Sequence, residues 1–189
     1  MKNYITEQEF INQDFTKTPL AIGEYDNCTF LNCLFTESNL SEFIFSECVF
    51  EACDMSNSKL VNTSFREVNF VKCKLLGLHF DDCNPFLIAF SFDSCYLNFA
   101  SFYNLKLKKT IFNNCKLEEV DFSEADISLG SFRECELFNA TFDRTGLEGA
   151  DLRTARNFAI DPEKNRIKKA KFSRDSLSGL LGKYQLKID

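Results

Sequence analysis

The side chains best able to do chemistry in this 189-residue chain are one histidine, nine cysteines and 28 carboxylates. His79 stands alone, so a redundant Ser-His or Cys-His nucleophile pair is excluded, as is a His-rich metal site. The cysteines have no CxxC spacing; they fall at intervals of 5 and 20 residues, which points away from zinc and towards a repeat. An odd number of thiols and no leader-like apolar stretch in Met1 to Phe10 predict reduced cysteines and a cytoplasmic protein. No GxGxxG or GxxxxGK[ST] occurs, so no nucleotide or other cofactor is expected, and no enzymatic activity.

The carboxylates are unevenly placed. Residues 1–152 hold 24 Asp and Glu against 12 Lys and Arg, a net of −12, whereas residues 153–189 hold 4 against 10, a net of +6. An acidic body disfavours direct binding of nucleic acid, which needs cations against phosphate. Outward positions Asp81, Asp82, Asp121, Glu124, Asp126 and Asp151 are the candidate partner-binding acidic surface. Turn-forming polar residues are also structurally useful at such positions, so a merely solvated face is the competing explanation.

What positions these groups is a period of five. Large apolar residues recur at Phe10, Phe15, Leu20, Tyr25, Phe30 and so on to Phe80, then two residues late from Leu87 through Phe92, Leu97 and Phe102 to Leu152. Two residues before each centre sits a small residue such as Cys33, Ser58, Thr63 or Ala100. Five residues at ~100° each scatter the centres around an α-helix, and an odd spacing alternates them across a flat strand. A corner of about 90° in each pentapeptide instead turns every centre inward, and four sides close a coil of 20 residues. The second period is present: Phe10, Phe30, Phe50, Phe70, Phe92, Phe112, Phe132, Leu152 and Phe172 share one side. Beside them Cys33, Cys53, Cys73, Cys95, Cys115 and Cys135 form a column, read as small apolar filling at a shared corner.

The fold expected is therefore all-β, a right-handed quadrilateral parallel β-helix over residues 1–152, about seven coils stacked at the ~4.8 Å strand spacing. A loop or bulge is expected at 81–91, where Pro85 takes a would-be interior position. Phe43, Leu78, Phe90 and Leu105 are too large for the small position, which predicts local distortion. Residues 153–189 should hold an irregular last coil, a short α-helix from an N-cap at Ser173 through Leu181, a stop at Gly182 and an end strand over Tyr184, Leu186 and Ile188. No run is long and apolar enough for a membrane span.

The A/C-x-F/L pentads, as in Ala100-Ser101-Phe102 or Ala150-Asp151-Leu152, resemble those of the pentapeptide-repeat family over roughly residues 8–152. Two segments, Leu105–Phe112 and Ile160–Ile167, further resemble a narrower group, the Qnr-like proteins and the microcin immunity protein McbG, which protect DNA gyrase. That resemblance implies a rod-like homodimer joined through the C-terminal helix, here through Leu177, Leu180, Leu181, Tyr184, Leu186 and Ile188. It also implies an acidic surface that mimics duplex DNA and protects gyrase or another topoisomerase from a toxin or drug. The alternative is a structural scaffold for protein–protein interaction with another partner. Unlike the plasmid-type members of the group, this chain has no long loops projecting from its coils.

Overall fold

A computed structural model describes residues 3–187. The chain winds as a parallel β-helix. Four short strands stack on one side, β1 (Asn3–Thr6), β3 (Gly23–Asp26), β5 (Ile44–Ser46) and β7 (Ser64–Arg66). On a second side lie β2 (Glu9–Ile11), β4 (Thr29–Leu31), β6 (Val49–Glu51), β8 (Val68–Val71), β9 (Phe90–Asp93), β10 (Ile111–Asn113) and β11 (Ser131–Arg133). Register is fixed by the repeat: Phe10 pairs with Phe30, Phe30 with Phe50, Phe50 with Phe70, and, across the two-residue insertion, Phe70 with Phe92. Isolated parallel bridges carry the remaining two sides, as in the run from Asp14 through Leu34, Asp54 and Lys74 to Tyr96. The sides are named below by their first inward centre: the Phe10, Phe15, Leu20 and Tyr25 sides.

Burial of the centres drives the winding. Phe30, Phe50, Phe102, Phe112, Phe122 and Phe132 have no exposed surface. Along the Phe10 side the rings stack nearly parallel, with centroids 4.6 Å apart for Phe30 and Phe50 and 5.1 Å for Phe112 and Phe132. Rings on adjacent sides meet edge to face, as Phe102 and Phe112 do at 5.7 Å and 81°. Both are arrangements that aromatic quadrupoles favour. Phe43, one of the oversized residues, stacks 5.8 Å from Phe45 without interrupting β5, because the same position holds Gly23 and Thr63 on the coils to either side.

The corners are made by backbone in the left-handed region. Asn12, Asn27, Asn57, Asn104 and Asn139 all have φ between 49° and 56°, and Gly77 and Gly149 lie at 63° and 68°. Where the corner is a tight turn, the N–H of the next small residue donates to the carbonyl of the centre, for example Ala100 to Leu97 at 3.0 Å. That is the hydrogen bond of a β-turn with positive φ at its third residue. Phe99 and Leu129 occupy such corners at φ 64° and 60°, an unfavourable conformation for bulky side chains.

The break near 81–91 is a short 3₁₀ turn, Phe80–Asp82, followed by a loop in which Pro85, Phe86 and Leu87 are exposed. Leu87 is not the inward centre that the pentad count makes it: its side chain is 63% exposed. Phe90 takes up the interior space instead, its ring 5.3 Å from Phe80 and 5.1 Å from Phe92. A proline cannot donate to the ladder, so the chain leaves the coil at Pro85 and returns with the small position oversized.

After Leu152 one further, irregular coil forms, with bridges Glu136–Arg156, Gly146–Arg166 and Asp151–Lys171. The tail differs from the sequence expectation. Arg174–Leu180 is a 3₁₀ helix and not an α-helix, and Ser173 makes no side-chain cap. The Ser176 hydroxyl donates instead to the Ser173 carbonyl, one of the local bonds by which serine competes with helical pairing. Gly182 opens a second 3₁₀ turn, Gly182–Tyr184, and Gln185 turns left-handed, so no strand begins at Tyr184. Ile188 lies outside the described residues.

Candidate interaction surface

With the interior filled, the outward residues are the ones a partner would meet, and the repeat constrains these too. The residue just before each centre lies beside the backbone of the following turn. At that position Asp14, Asp54, Asp121, Asp126, Asp151 and Asp161 each accept a hydrogen bond from the N–H two residues on, at 2.8 to 3.2 Å. These carboxylates therefore hold corners as well as carrying charge. Burial opposes the charge on Asp126, but hydrogen bonds from Ser128 and the nearby Lys108 outweigh it and hold its pKa below the usual range. The Arg153 guanidinium grips Asp151 through bonds of 2.9 and 2.6 Å and lowers it likewise.

The six predicted surface carboxylates do not form one patch. Asp81, Asp82, Asp121 and Glu124 lie on the Leu20 side, Asp126 on the Tyr25 side and Asp151 on the Phe10 side. Sequence reasoning treated outward residues as one surface, whereas the four-sided coil divides them. The Leu20 side gathers Glu42, Asp143, Asp161 and Glu163 with its four predicted residues, against Lys59, Arg144 and Lys164, a net of −5. Part of this is internally compensated: Arg144 pairs with Glu124 at 2.7 Å, and Lys183 with Glu163 at 2.6 Å and Asp161 at 2.9 Å.

The small inward position also has a role that sequence reading missed. Its side chain donates to the carbonyl of the centre on the preceding coil, 23 residues earlier: Thr63 to Leu40 at 2.7 Å, Ser58 to Phe35 at 2.6 Å, Cys73 to Phe50 at 3.2 Å. Asn165 reproduces the bond to Phe142 at 3.0 Å and accepts from the Thr145 N–H. The mixture of Cys, Ser and Thr at one repeat position was the available signal, since what these share beyond size is a donor. All nine cysteines are buried and free, and burial pushes the Cys48 thiol up to about 12.

His79 is largely exposed, 3.5 Å from Asp81. Among the described residues no group of three or more His, Cys, Asp or Glu is arranged to hold a metal ion. No helix among them is long and apolar enough to cross a membrane. A hollow of about 780 Å³ forms an open trough between the last coil and the tail, lined by Arg153, Arg156, Phe158, Ser176 and Gly179. The tail lies tightly over that coil: the Ile160 N–H donates to the Gly179 carbonyl at 2.9 Å, and a Cβ on Gly179 would stand 2.5 Å from the Phe158 carbonyl. Of the predicted dimer residues, Leu180 and Leu181 are half-buried, while Leu177, Tyr184 and Leu186 are exposed.

The coil of stacked pentapeptides with an inward Phe/Leu ladder defines a right-handed β-helical repeat solenoid. The chain belongs to the pentapeptide-repeat family: it matches the pentapeptide repeat region over residues 24–91 and pentapeptide repeats over 95–133 and 115–156. No curated protein matches it significantly in sequence. Solved structures similar to it include QnrB1, a plasmid-mediated fluoroquinolone resistance protein, at 18% identity and a TM-score of 0.48 over 98% of this chain and 99% of that one. Another is HetL from the cyanobacterium Nostoc, a pentapeptide repeat protein involved in heterocyst differentiation regulation, at 17% identity and a TM-score of 0.48 over 89% and 86%.

Proposed function

We propose that this protein acts by binding and not by catalysis, as a rigid acidic rod that occupies a basic site on a protein partner. The observation that carries this reading is the Leu20 side, an extended face with a net charge of −5 on a scaffold whose interior is filled by the Phe and Leu ladder. A site built for nucleic acid is the basic site of matching chemistry, and the resemblance of Leu105–Phe112 and Ile160–Ile167 to gyrase-protecting proteins makes DNA gyrase or a related topoisomerase the partner of choice. The charge density fits in sign and falls short in size. A net of −12 along about seven coils of ~4.8 Å gives one charge per ~3 Å, against one per ~1.7 Å for duplex DNA. Mimicry in this form is electrostatic in character and weaker than DNA itself.

In this reading the protein is a homodimer, with Leu177, Leu180, Leu181, Tyr184 and Leu186 supplying the end-to-end contact; the sixth predicted residue, Ile188, lies outside the described residues. Purified protein should bind gyrase at low salt, lose affinity steeply between ~50 and ~200 mM salt, and relieve poison-stabilised cleavage in a supercoiling assay. Absence of both binding and any effect on supercoiling or cleavage at micromolar protein rejects gyrase as the partner. The second reading, a scaffold for another protein, is favoured by the exposed Phe86 and Leu87, 65% and 63% accessible, an apolar projection that a DNA mimic does not need.

A further inference from the structure

The Tyr25 side has a charge pattern unlike that of the whole chain. Before the 84–89 loop it carries Glu7, Glu24, Asp26, Glu47 and Glu67 against Arg66, a net of −4. After the loop it carries Lys106, Lys108, Lys109, Arg166, Lys168 and Lys169 against Asp126 and Glu148, a net of +4. The loop sits at the boundary. Coils centred on Ile5, Tyr25, Phe45 and Phe65 precede it, and coils centred on Leu107, Ile127, Leu147 and Ile167 follow it. Its tip is apolar, Phe86 and Leu87 being 65% and 63% exposed, and beside it runs a groove of about 430 Å³ floored by Arg66 and Glu67 and walled by Leu87, Ile88 and Ala89.

We infer that the Tyr25 side is a self-complementary interface that pairs two copies of this chain antiparallel about a two-fold axis through the loop. The axis lies in the interface across the rods, so each coil before the loop faces the coil equally far after it on the partner. Glu67, one coil before, meets Lys109, one coil after. Glu7, four coils before, meets Lys169, four coils after. All four are exposed corner residues at the same lateral position. At the axis Phe86 of each copy enters the groove beside the other's Leu87. A second copy is the occupant because one face carries both halves of the charge complement, as an isologous contact requires. The same register sets Arg66 opposite Lys108 and Asp26 opposite Glu148, but each is already engaged within its own rod: Arg66 with Glu24 at 3.9 Å, Lys108 with Asp126 at 3.6 Å, Asp26 with the Tyr4 hydroxyl at 3.1 Å and Glu148 with Arg166 at 3.1 Å. The parallel arrangement is worse, because it would set whole halves of like net charge against each other.

The side is roughly 38 Å long and 13 Å wide, below the ~800 Å² per partner of a standard interface, so association in the micromolar range is expected. This surface is separate from the tail, and its test does not depend on the gyrase reading. Sedimentation equilibrium on the full chain in ~50 mM salt should show the wild type heavier than a Phe86→Asp variant, by a factor of two if the tail makes no contact and by more if it also joins rods end to end, since two isologous contacts on one rod do not close. Glu67→Lys and Lys109→Glu should each weaken the association at least ~10-fold, and the double variant should recover most of it. Circular dichroism should show each variant folded, since all three positions are exposed. A Phe86→Asp chain with wild-type mass overturns the interface, and a double variant no tighter than the single ones overturns the antiparallel register.

Discussion

The thiol of Cys53 donates to the carbonyl oxygen of Phe30 at 3.3 Å, joining the small position of one coil to the large position of the coil before it. The same bond recurs at Cys73, Cys95, Cys115 and Cys135 with lengths of 3.2 to 3.6 Å. If the donor matters as well as the volume, Cys115→Ser should be tolerated better than Cys115→Ala. Removing the donor leaves the Phe92 carbonyl short of a partner and opens a small gap, a loss of about 1 to 2 kcal/mol. Chemical denaturation midpoints of the two variants decide it, and equal midpoints would assign the column to packing alone.

Phe112 is sandwiched between Phe92 and Phe132 at 5.1 Å on each side and is fully buried. Phe112→Ala should cost ~3 to 5 kcal/mol by the rule for large core truncations. A loss under ~1 kcal/mol, read from denaturant unfolding, would contradict so complete an enclosure.

Leu129 is 60% exposed and held at φ 60°. Asparagine tolerates that conformation better, so Leu129→Asn should stabilise the protein by about 0.5 to 1 kcal/mol. The Leu129 side chain covers Gly149, where an added Cβ would stand 2.8 Å from Leu129 Cδ2, and a lowered melting temperature would mean that this cover outweighs the backbone strain.

Asp126, Asp151 and Asp161 have folded-state pKa values below those of the unfolded chain. Their contribution is present above the ordinary carboxylate pKa of ~3.9 and is lost as pH falls through the depressed folded values. Asp151→Asn should therefore lower stability at neutral pH, with the gap to wild type closing below about pH 4. A difference that does not change with pH would remove the Arg153 ion pair from the account.

The buried thiols should react slowly with an aromatic disulfide reagent in the native state and approach nine equivalents after denaturation. Rapid native modification of several thiols would show that the coil opens locally.

The interior was legible because one period served every coil: once Phe10 and Phe30 are inward, the rest of the column follows to Phe172. The count failed at Leu87, where the period alone could not decide which residue re-enters after Pro85, and the choice fell to shape, with Phe90 filling the space between Phe80 and Phe92. The asparagines at the corners point to left-handed backbone, a signal diluted by the Glu, Lys, Phe99 and Leu129 that hold the same position on other coils. The tail has no such repetition. Leu177, Leu180 and Leu181 fit an α-helical stripe, yet Ser173, Ser176 and Gly179 decide the local backbone. The acidic surface was legible in amount and not in place, since only the register says which side each carboxylate occupies.

Each rung touches only its neighbours, and this sets how freely the rod can change in evolution. At the loop the bond from the small position to the preceding coil spans 25 residues, Cys95 to Phe70, where elsewhere it spans 23. The entropy of closing a chain segment grows only with the logarithm of its length, so this lengthening costs roughly 0.1 kcal/mol. Two added residues leave Phe92 stacked on Phe70 at 5.3 Å as though nothing intervened. A corner can thus gain or lose a projection almost without thermodynamic consequence, while a single changed centre disturbs the rings above and below. Change in such a molecule is cheapest at its corners and costliest along its axis.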